Sequence, residues 1–546
     1  MRGMMMDTQL TITMIMRHAE KVYPDSEITS VMEGNKIHRY TFGEAFSRVR
    51  KLANALNTLG VKPGDRIATL AWNDYRHFEL YYGISCSGLV CHTINPRLFD
   101  EQIEYIINHA EDQWIFISPD FIDKLESIQD RLPTVKGFVL LTDRVSMPES
   151  SLRNLCCYED LLVEQSAEFD WPEFEENTAS ALCYTSGTTG NPKGVLYSHR
   201  SSVLHSLSSS LRDSFNLSVN DVVLPLVPMF HVNGWGLMYS APMVGANLVL
   251  PGKQMGNSEI VVDLINQEKA TVSGAVPTVW NAIVDYLKAS GKTLSSLSHI
   301  IIGGSACPVS LIDELRESYD VHVMHCWGMT EVSPLGALNT LKPGMEDKSK
   351  EELDSIRVKQ GRPLFGVDME LVDEEGGVLP WDGASPGALM VRGPWVASGY
   401  YTSYAEQRES HGWLDTGDVA VIDQDGYLQL TDRKKDLIKS GGEWISSIEL
   451  ENCISSHPAV KEAAVIAVSH PQWTERPLLI VVKQADVVAT KEEILRYFEG
   501  KVAKWWIPDD VLFVDNIPHT ATGKISKLTL RRQFENWELS EYLTAG

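Results

Sequence analysis

The chain reads as an α/β protein: a large N-terminal domain of several subdomains, α/β layers plus a β-rich part, and a small mobile α+β C-terminal domain. Three observations predict this. At 546 residues the chain is too long for one small core. From Thr41 to about Thr340, helix-period segments alternate with short apolar runs, the pattern of α/β layers on mainly parallel strands. From about Gly361 to Leu430 this gives way to short strands and turns, and a charged stretch from Thr431 to Ser446 then opens a second mixed segment.

Taken in order, "TITMIMRHAEKV" has the spacing of an amphipathic first helix; its apolar run is short and lacks the small-residue cleavage site of a leader. "FGEAFSRVRKLANALNTLG" predicts a helix before the strand "RIATLAW", and "FELYYGISCSG" precedes the strand "LVCHTI". "TASALCY", Thr178 to Tyr184, reads as a buried strand, and Ser198 is placed to cap a helix within "GVLYSHRSSVLHSLSSSL". "MELVDEEGGVL", "GALMVRG" and "GYLQL" supply the β-rich part. Beyond "TDRKKDLIKSGGEWIS" come a helix ("SSIELENCISSH"), two strands ("VKEAAVIAVS", "PLLIVVK") and a helix ("KEEILRYFEGKV"). The polar, lysine-rich joint near Asp432 to Asp436 permits rotation, so the domains are taken as 1–432 and 433–546.

Composition narrows the function classes. Hydrophobic residues make up 43% and charged ones 22%, as in soluble globular chains. The balance of 48 basic against 73 acidic residues gives −25, which weighs against nucleic-acid or anionic-membrane partners. The eight cysteines include one adjacent pair, Cys156 and Cys157, and no C-x-x-C, so neither a disulfide framework nor a zinc site is expected. The apolar run "GLMYSAPMVGANLVLPG" is interrupted by Pro and Gly and does not read as a membrane span. A cytoplasmic location follows as the expectation.

Chemistry concentrates in a few short stretches. "YTSGTTGNPKG", Tyr184 to Gly194, fails the Walker spacing, because Pro192 stands five residues after Gly187 and Gly194 follows Lys193. It still suits a phosphate cradle. Gly187 and Gly190 let backbone N–H groups turn inward, Thr185, Ser186, Thr188 and Thr189 add hydroxyls, and Lys193 adds charge. A strand, this loop and a helix would make the site; an ordinary surface turn is the competing reading. "PMFHVNGW" holds His231 and Trp235, "GGSACP" runs from Gly303 to Pro308, and "CWGMTE" runs from Cys326 to Glu331. "WLDTGD" ends at Asp418 and "PHTATGK" at Lys524. Each alone has an ordinary structural explanation.

In this order and at these distances the motifs resemble those of the adenylate-forming acyl-activating superfamily, which contains acyl-CoA synthetases, luciferases and peptide-synthetase adenylation domains. The resemblance runs from "YTFGEAFSRVRKLANAL" to "TGKISK" and is nearest to bacterial medium- and long-chain fatty-acyl-CoA synthetases, a branch that includes 3-methylmercaptopropionate ligases. It implies two half-reactions. A carboxylate attacks the α-phosphorus of ATP, giving acyl-AMP and pyrophosphate; a thiol, usually that of CoA, then displaces AMP. An adenylation enzyme loading a carrier protein in trans is the alternative, and a homodimer is the implied assembly.

The resemblance also assigns residues. Thr185 to Lys193 would hold the departing pyrophosphate, Lys524 would bridge the substrate carboxylate and α-phosphate, and Thr330 would donate to that phosphate. Glu331 would ligate Mg²⁺, and His231 would face the reacting groups. Adenine would lie on the Gly303–Gly304–Ser305–Ala306 turn, stacked on Trp327 beside Gly328 and Met329, with Asp418 and Arg433 on the ribose side. Trp327 departs from the usual tyrosine, keeping a stacking face and losing a hydroxyl. Trp235 is either a moving gate or a fixed wall of the acyl pocket, which Gly303 and Pro334 would also line. Lys435 falls at the hinge position, and Lys439, Gly441, Gly442, Glu443 and Trp444 would meet CoA.

Overall fold

A computed structural model describes residues 1, 3–185, 191–401, 412–440, 443–485, 487–520, 524–534 and 537. Two large sheets with parallel centres form the bulk of the chain. One has seven strands, in the order Leu155–Cys157, Gly137–Leu140, Trp114–Ile117, Arg66–Leu70, Val90–Thr93, Ala179–Tyr184 and Gly194–Ser198. All its pairs are parallel except the last. The other has nine strands. Its parallel centre runs His322–Gly328, His299–Ile302, Val272–Ala275, Val222–Pro225, Asn247–Leu250 and Glu27–Val31, with antiparallel strands at both ends. Runs such as "WIFI" and "HIII" are buried along their whole length, as expected where helices cover both faces of a sheet.

The helices follow their local signals. Ile12–Val22 buries Ile12, Ile15, Met16 and Ala19, the predicted apolar stripe. Phe42–Thr58 starts at a capping box in which the Thr41 hydroxyl accepts from Glu44 N at 3.2 Å and the Glu44 carboxylate accepts from Thr41 N at 2.8 Å. Among the described residues, no helix is long and apolar enough to cross a membrane.

The β-rich part is a four-stranded antiparallel sheet of Asp368–Val372, Gly387–Arg392, Leu414–Ile422 and Leu428–Arg433. Five residues after Arg433, Ile438–Ser440 opens the last sheet, which also holds Glu443–Ile445, Val460–His470, Thr474–Lys483 and Asp510–Phe513. Helices Ser447–Ser455 and Lys527–Gln533 pack on its strands.

Two elements differ from the sequence reading. Gly194–Ser198 is a strand, paired antiparallel with Ala179–Tyr184, so the phosphate-loop candidate joins two strands rather than a strand and a helix. Buried Val195 and Tyr197 flank exposed Leu196, a period-two pattern that outweighs helix propensity here. The helix begins at His199 with Ser198 as its cap, as the sequence reading has it, the Ser198 hydroxyl accepting from Ser201 N at 3.0 Å. Near the start, the hairpin of Glu27–Val31 and Ile37–Thr41 was not marked by the sequence pattern and extends the nine-stranded sheet.

Candidate active site

Six loops leave the C-terminal ends of parallel strands on one side of the two large sheets, the usual ligand edge of open α/β sheets. They follow Thr93, Tyr184, Pro225, Ala275, Ile302 and Gly328, and together line a cleft of about 360 Å³. Of the residues singled out by sequence, Thr185, Lys193, His231, Trp235, Gly304 and Gly328 line it, as do Met329, Thr330, Glu331, Pro334, Arg433 and Lys524. Ser186, Gly187, Thr188, Thr189 and Gly190 lie outside the described residues, as do Gly441 and Gly442.

The described ends of the glycine-rich loop close on each other: Thr185 N donates to the Lys193 carbonyl at 2.9 Å. The Lys193 ammonium lies 4.6 Å from the centre of the Tyr400 ring, and the Tyr400 hydroxyl donates to Glu331 at 2.7 Å. Glu331 is buried in the short 3-10 turn Thr330–Val332 that follows strand His322–Gly328, one residue past Thr330, whose carbonyl accepts from the Tyr197 hydroxyl at 2.6 Å. Gly328 has to be glycine, because a Cβ there would sit 2.2 Å from the Pro334 carbonyl oxygen.

Strand Leu414–Ile422 brings Asp418 to the same place, opposite Arg433 in the register of its neighbour. Asp418 is buried; its carboxylate accepts from the Trp327 indole N–H at 2.9 Å and lies 3.4 Å from Arg433 Nε. Burial raises the Asp418 carboxyl above the usual range, against the pull of Arg433. Trp327 thus supplies a donor that the sequence comparison with tyrosine left out. Its ring is buried against Gly336, where a Cβ would come within 2.4 Å.

Lys524 enters from the C-terminal part. Its Cε would be 3.3 Å from a Cβ at Gly304, which has φ +87°, so the glycine turn admits the lysine stem. Burial and the Arg433 charge push the ammonium down to about 8, while Asp418, Cys326 and Glu331 pull it up. His231 is also in this cleft; burial and then the Lys524 charge push it down to about 3, leaving a neutral imidazole.

Trp235 sits in an unusual turn. Residues 232 to 236 all have positive φ, from +46° at Val232 to +76° at Gly236, a region disfavoured for Val and Trp. Val232 N donates to the Cys183 sulfur at 3.3 Å and the Asn233 amide oxygen accepts from Thr93 at 3.3 Å, pinning the turn. The indole is 9% exposed, beside Gly274 and Gly303.

Other expected residues do not themselves line the cleft. Gly303 is buried under Cys326, Ser305 is exposed and Ala306 partly buried. Lys435 is exposed, and partial desolvation of its ammonium lowers it from the ordinary value. Lys439 lies over the Trp444 ring at 4.9 Å on the hairpin of the last sheet, with Glu443 in the same hairpin. Tyr400, Tyr197 and Arg97, whose guanidinium stacks 5.7 Å over Phe230, were missed by the sequence reading. None belongs to a motif that a single sequence makes visible.

Four positive groups (Arg97, Lys193, Arg433 and Lys524), a neutral imidazole and the buried Glu331 carboxylate therefore line one cavity, with buried Asp418 beside Arg433 at its edge. Such a set suits a phosphate-bearing substrate on which negative charge grows. Comparison with known proteins agrees. A medium-chain-fatty-acid–CoA ligase of Ectopseudomonas oleovorans is 48% identical over 534 residues, covering 98% of each chain. A 3-methylmercaptopropionyl-CoA ligase of Ruegeria lacuscaerulensis is 48% identical over 536 residues, 98% of this chain and 99% of the relative. The solved anthranilate CoA ligase AuaEII, in complex with anthranoyl-AMP, is 26% identical with a TM-score of 0.87, covering 97% of this chain and 98% of that one. The model of the AMP-binding enzyme C-terminal domain matches residues 449–524. That of the AMP-binding enzyme matches residues 16–401, well over half the chain, and the protein belongs to this family.

Proposed function

We propose that the protein is an AMP-forming carboxylic acid–CoA ligase acting on a fatty or related aliphatic acid. The observation that carries this reading is Lys524, delivered by the C-terminal part into the same cleft as His231, Thr330 and Glu331. An ammonium there can donate to the acid's carboxylate and to the α-phosphate together, offsetting the repulsion between two anions as they approach. Carboxylate oxygen attacks the α-phosphorus, the bond to the β-phosphate oxygen breaks, and pyrophosphate leaves. Thr330 donates to the α-phosphate, and neutral His231 donates without adding a charge. Lys193, aligned by Tyr400, meets the departing phosphates. Asp418 takes the ribose hydroxyls, held by Trp327 and Arg433. In the second step the thiol attacks the acyl carbonyl and loses its proton, and AMP leaves.

The site fits Mg²⁺ in the manner usual for phosphate enzymes, one buried carboxylate with substrate phosphates completing the shell. Glu331 would hold it, and the ion would neutralise charge on the phosphates.

The buried Trp235 supports a pocket closed near the cleft, which favours medium or short acids, the short thioether acids included, unless the turn swings. We place the domain boundary between 432 and 433 with the hinge at Lys435, and Lys439 and Trp444 on the CoA side. A cytoplasmic homodimer is our further reading; light scattering at twice 61.0 kDa would support it and a monomer mass would refute it. The decisive experiment is mass spectrometry of products from purified protein, Mg-ATP, CoA and an acid panel from acetate to long fatty acids, with 3-methylmercaptopropionate and aromatic acids. Acyl-CoA with AMP is expected; acyl-AMP without thioester would move the reading to a carrier-protein donor.

A further inference from the structure

Lys524 belongs to the C-terminal part, yet its ammonium lies in a cleft built by the N-terminal sheets. The main-chain link between the two is short, residues 434 to 437 between one strand and the next. A four-residue link does not by itself fix where the lysine goes, so side-chain contacts across the joint must seat it.

The strand Leu428–Arg433 presents alternate residues to opposite sides. Arg433 faces the cleft and Asp418, and Asp432 faces the C-terminal part, 2% exposed. There its carboxylate accepts from Ser447 N at 2.6 Å and from the Ser447 hydroxyl at 2.5 Å, at the first turn of helix Ser447–Ser455. The same hydroxyl accepts from the Lys527 ammonium at 2.5 Å, and Lys527 pairs with Glu451 at 2.8 Å. Lys527 is three residues beyond Lys524, at the start of helix Lys527–Gln533. On the other side of the joint, Arg531 of that helix pairs with Asp436 at 2.5 Å. A chain of charge-assisted bonds thus runs from the last strand of the N-terminal part to the segment that carries Lys524.

We propose that Asp432 and Ser447 are positioning residues, a latch that seats Lys524 in the cleft for acyl-adenylate formation and is dispensable for thioester formation. The inference rests on the reading of Lys524 given above. Asp432 is the N-terminal side of the latch and Ser447 the C-terminal side. Because the bonds are buried, they outlast surface ion pairs in salt. Because they reach Lys524 only through Lys527 and its backbone, they act on its position and not on the reacting atoms.

Full-length Asp432→Ala, Ser447→Ala and Lys524→Ala are compared in two assays. One is acid-dependent exchange of labelled pyrophosphate into ATP, and the other is CoA-dependent consumption of synthetic acyl-AMP. Asp432→Ala should lower exchange by about tenfold or more and Ser447→Ala by about fivefold, both leaving acyl-AMP consumption within about twofold. Equal losses in both assays, or no loss of exchange, would overturn the latch. Lys524→Ala should show the same split more strongly; if it does not, the fault lies in the reading of Lys524 itself. Should Asp432→Ala fail to fold, Ser447→Ala, which removes one hydroxyl, decides by the same criteria.

Discussion

At the scale of single residues, the site is governed by where charge is tolerated. Lys524 has to carry its proton to bridge two anions, and its ammonium is held down at about 8. For the free enzyme, adenylation measured as kcat/KM should therefore fall as pH rises through about 8, the side on which the ammonium is lost. His231, neutral from about 3 upward, adds no acid limb in the working range. Since Arg433 is a repelling cation, Arg433→Gln should move the alkaline limb upward. A limb that stays in place would show that burial alone sets it. Trp327→Phe keeps a ring and removes the donor to Asp418. A hydrogen bond to a charged group contributes about 1.5–3 kcal/mol, so a rise of about tenfold or more in KM for ATP is expected from steady-state kinetics.

At the scale of elements, strand ends and tight turns decide the geometry. Gly328→Ala would drive a Cβ to 2.2 Å from the Pro334 carbonyl, where backbone must move. Overpacking of this kind costs about 1–3 kcal/mol, read as a lower denaturation midpoint together with weaker ATP binding. The left-handed turn from 232 to 236 holds Trp235 between Gly274 and Gly303. Trp235→Ala empties that space, and the acid-panel profile should shift toward longer chains. An unchanged profile would remove Trp235 from chain-length selection. The glycine-rich loop shows how local signals compete: "GVLYS" carries both a helix cap and a strand alternation, and the strand takes the first five residues because Ala179–Tyr184 offers a partner edge.

For the whole molecule, the cleft couples two parts that are joined by one short link. A ligand that touches both Lys524 and the N-terminal loops should stabilise them together. An unreactive acyl-adenylate mimic at about a thousand times its Kd should add roughly 4 kcal/mol to unfolding. Calorimetry should then record a single transition shifted upward, with a smaller shift in Lys524→Ala. Two transitions of which only one responds would show that the C-terminal part takes no share in binding.

Much of this architecture is legible in the chain itself. Apolar periodicity marks the helices Ile12–Val22 and Phe42–Thr58 and the buried strands, and small polar clusters mark loops, because both depend on neighbours in sequence. The ordered motifs ending in Asp418 and Lys524 name the candidate chemistry. The sequence does not reveal that Trp327 donates to Asp418 across 91 residues, that Tyr400 lies between Lys193 and Glu331, or that Asp432 reaches Ser447. It also leaves undecided the perturbed proton affinities of Lys524 and His231. Those depend on burial and on charges brought together from distant strands, and only the folded arrangement of the sheets sets such distances.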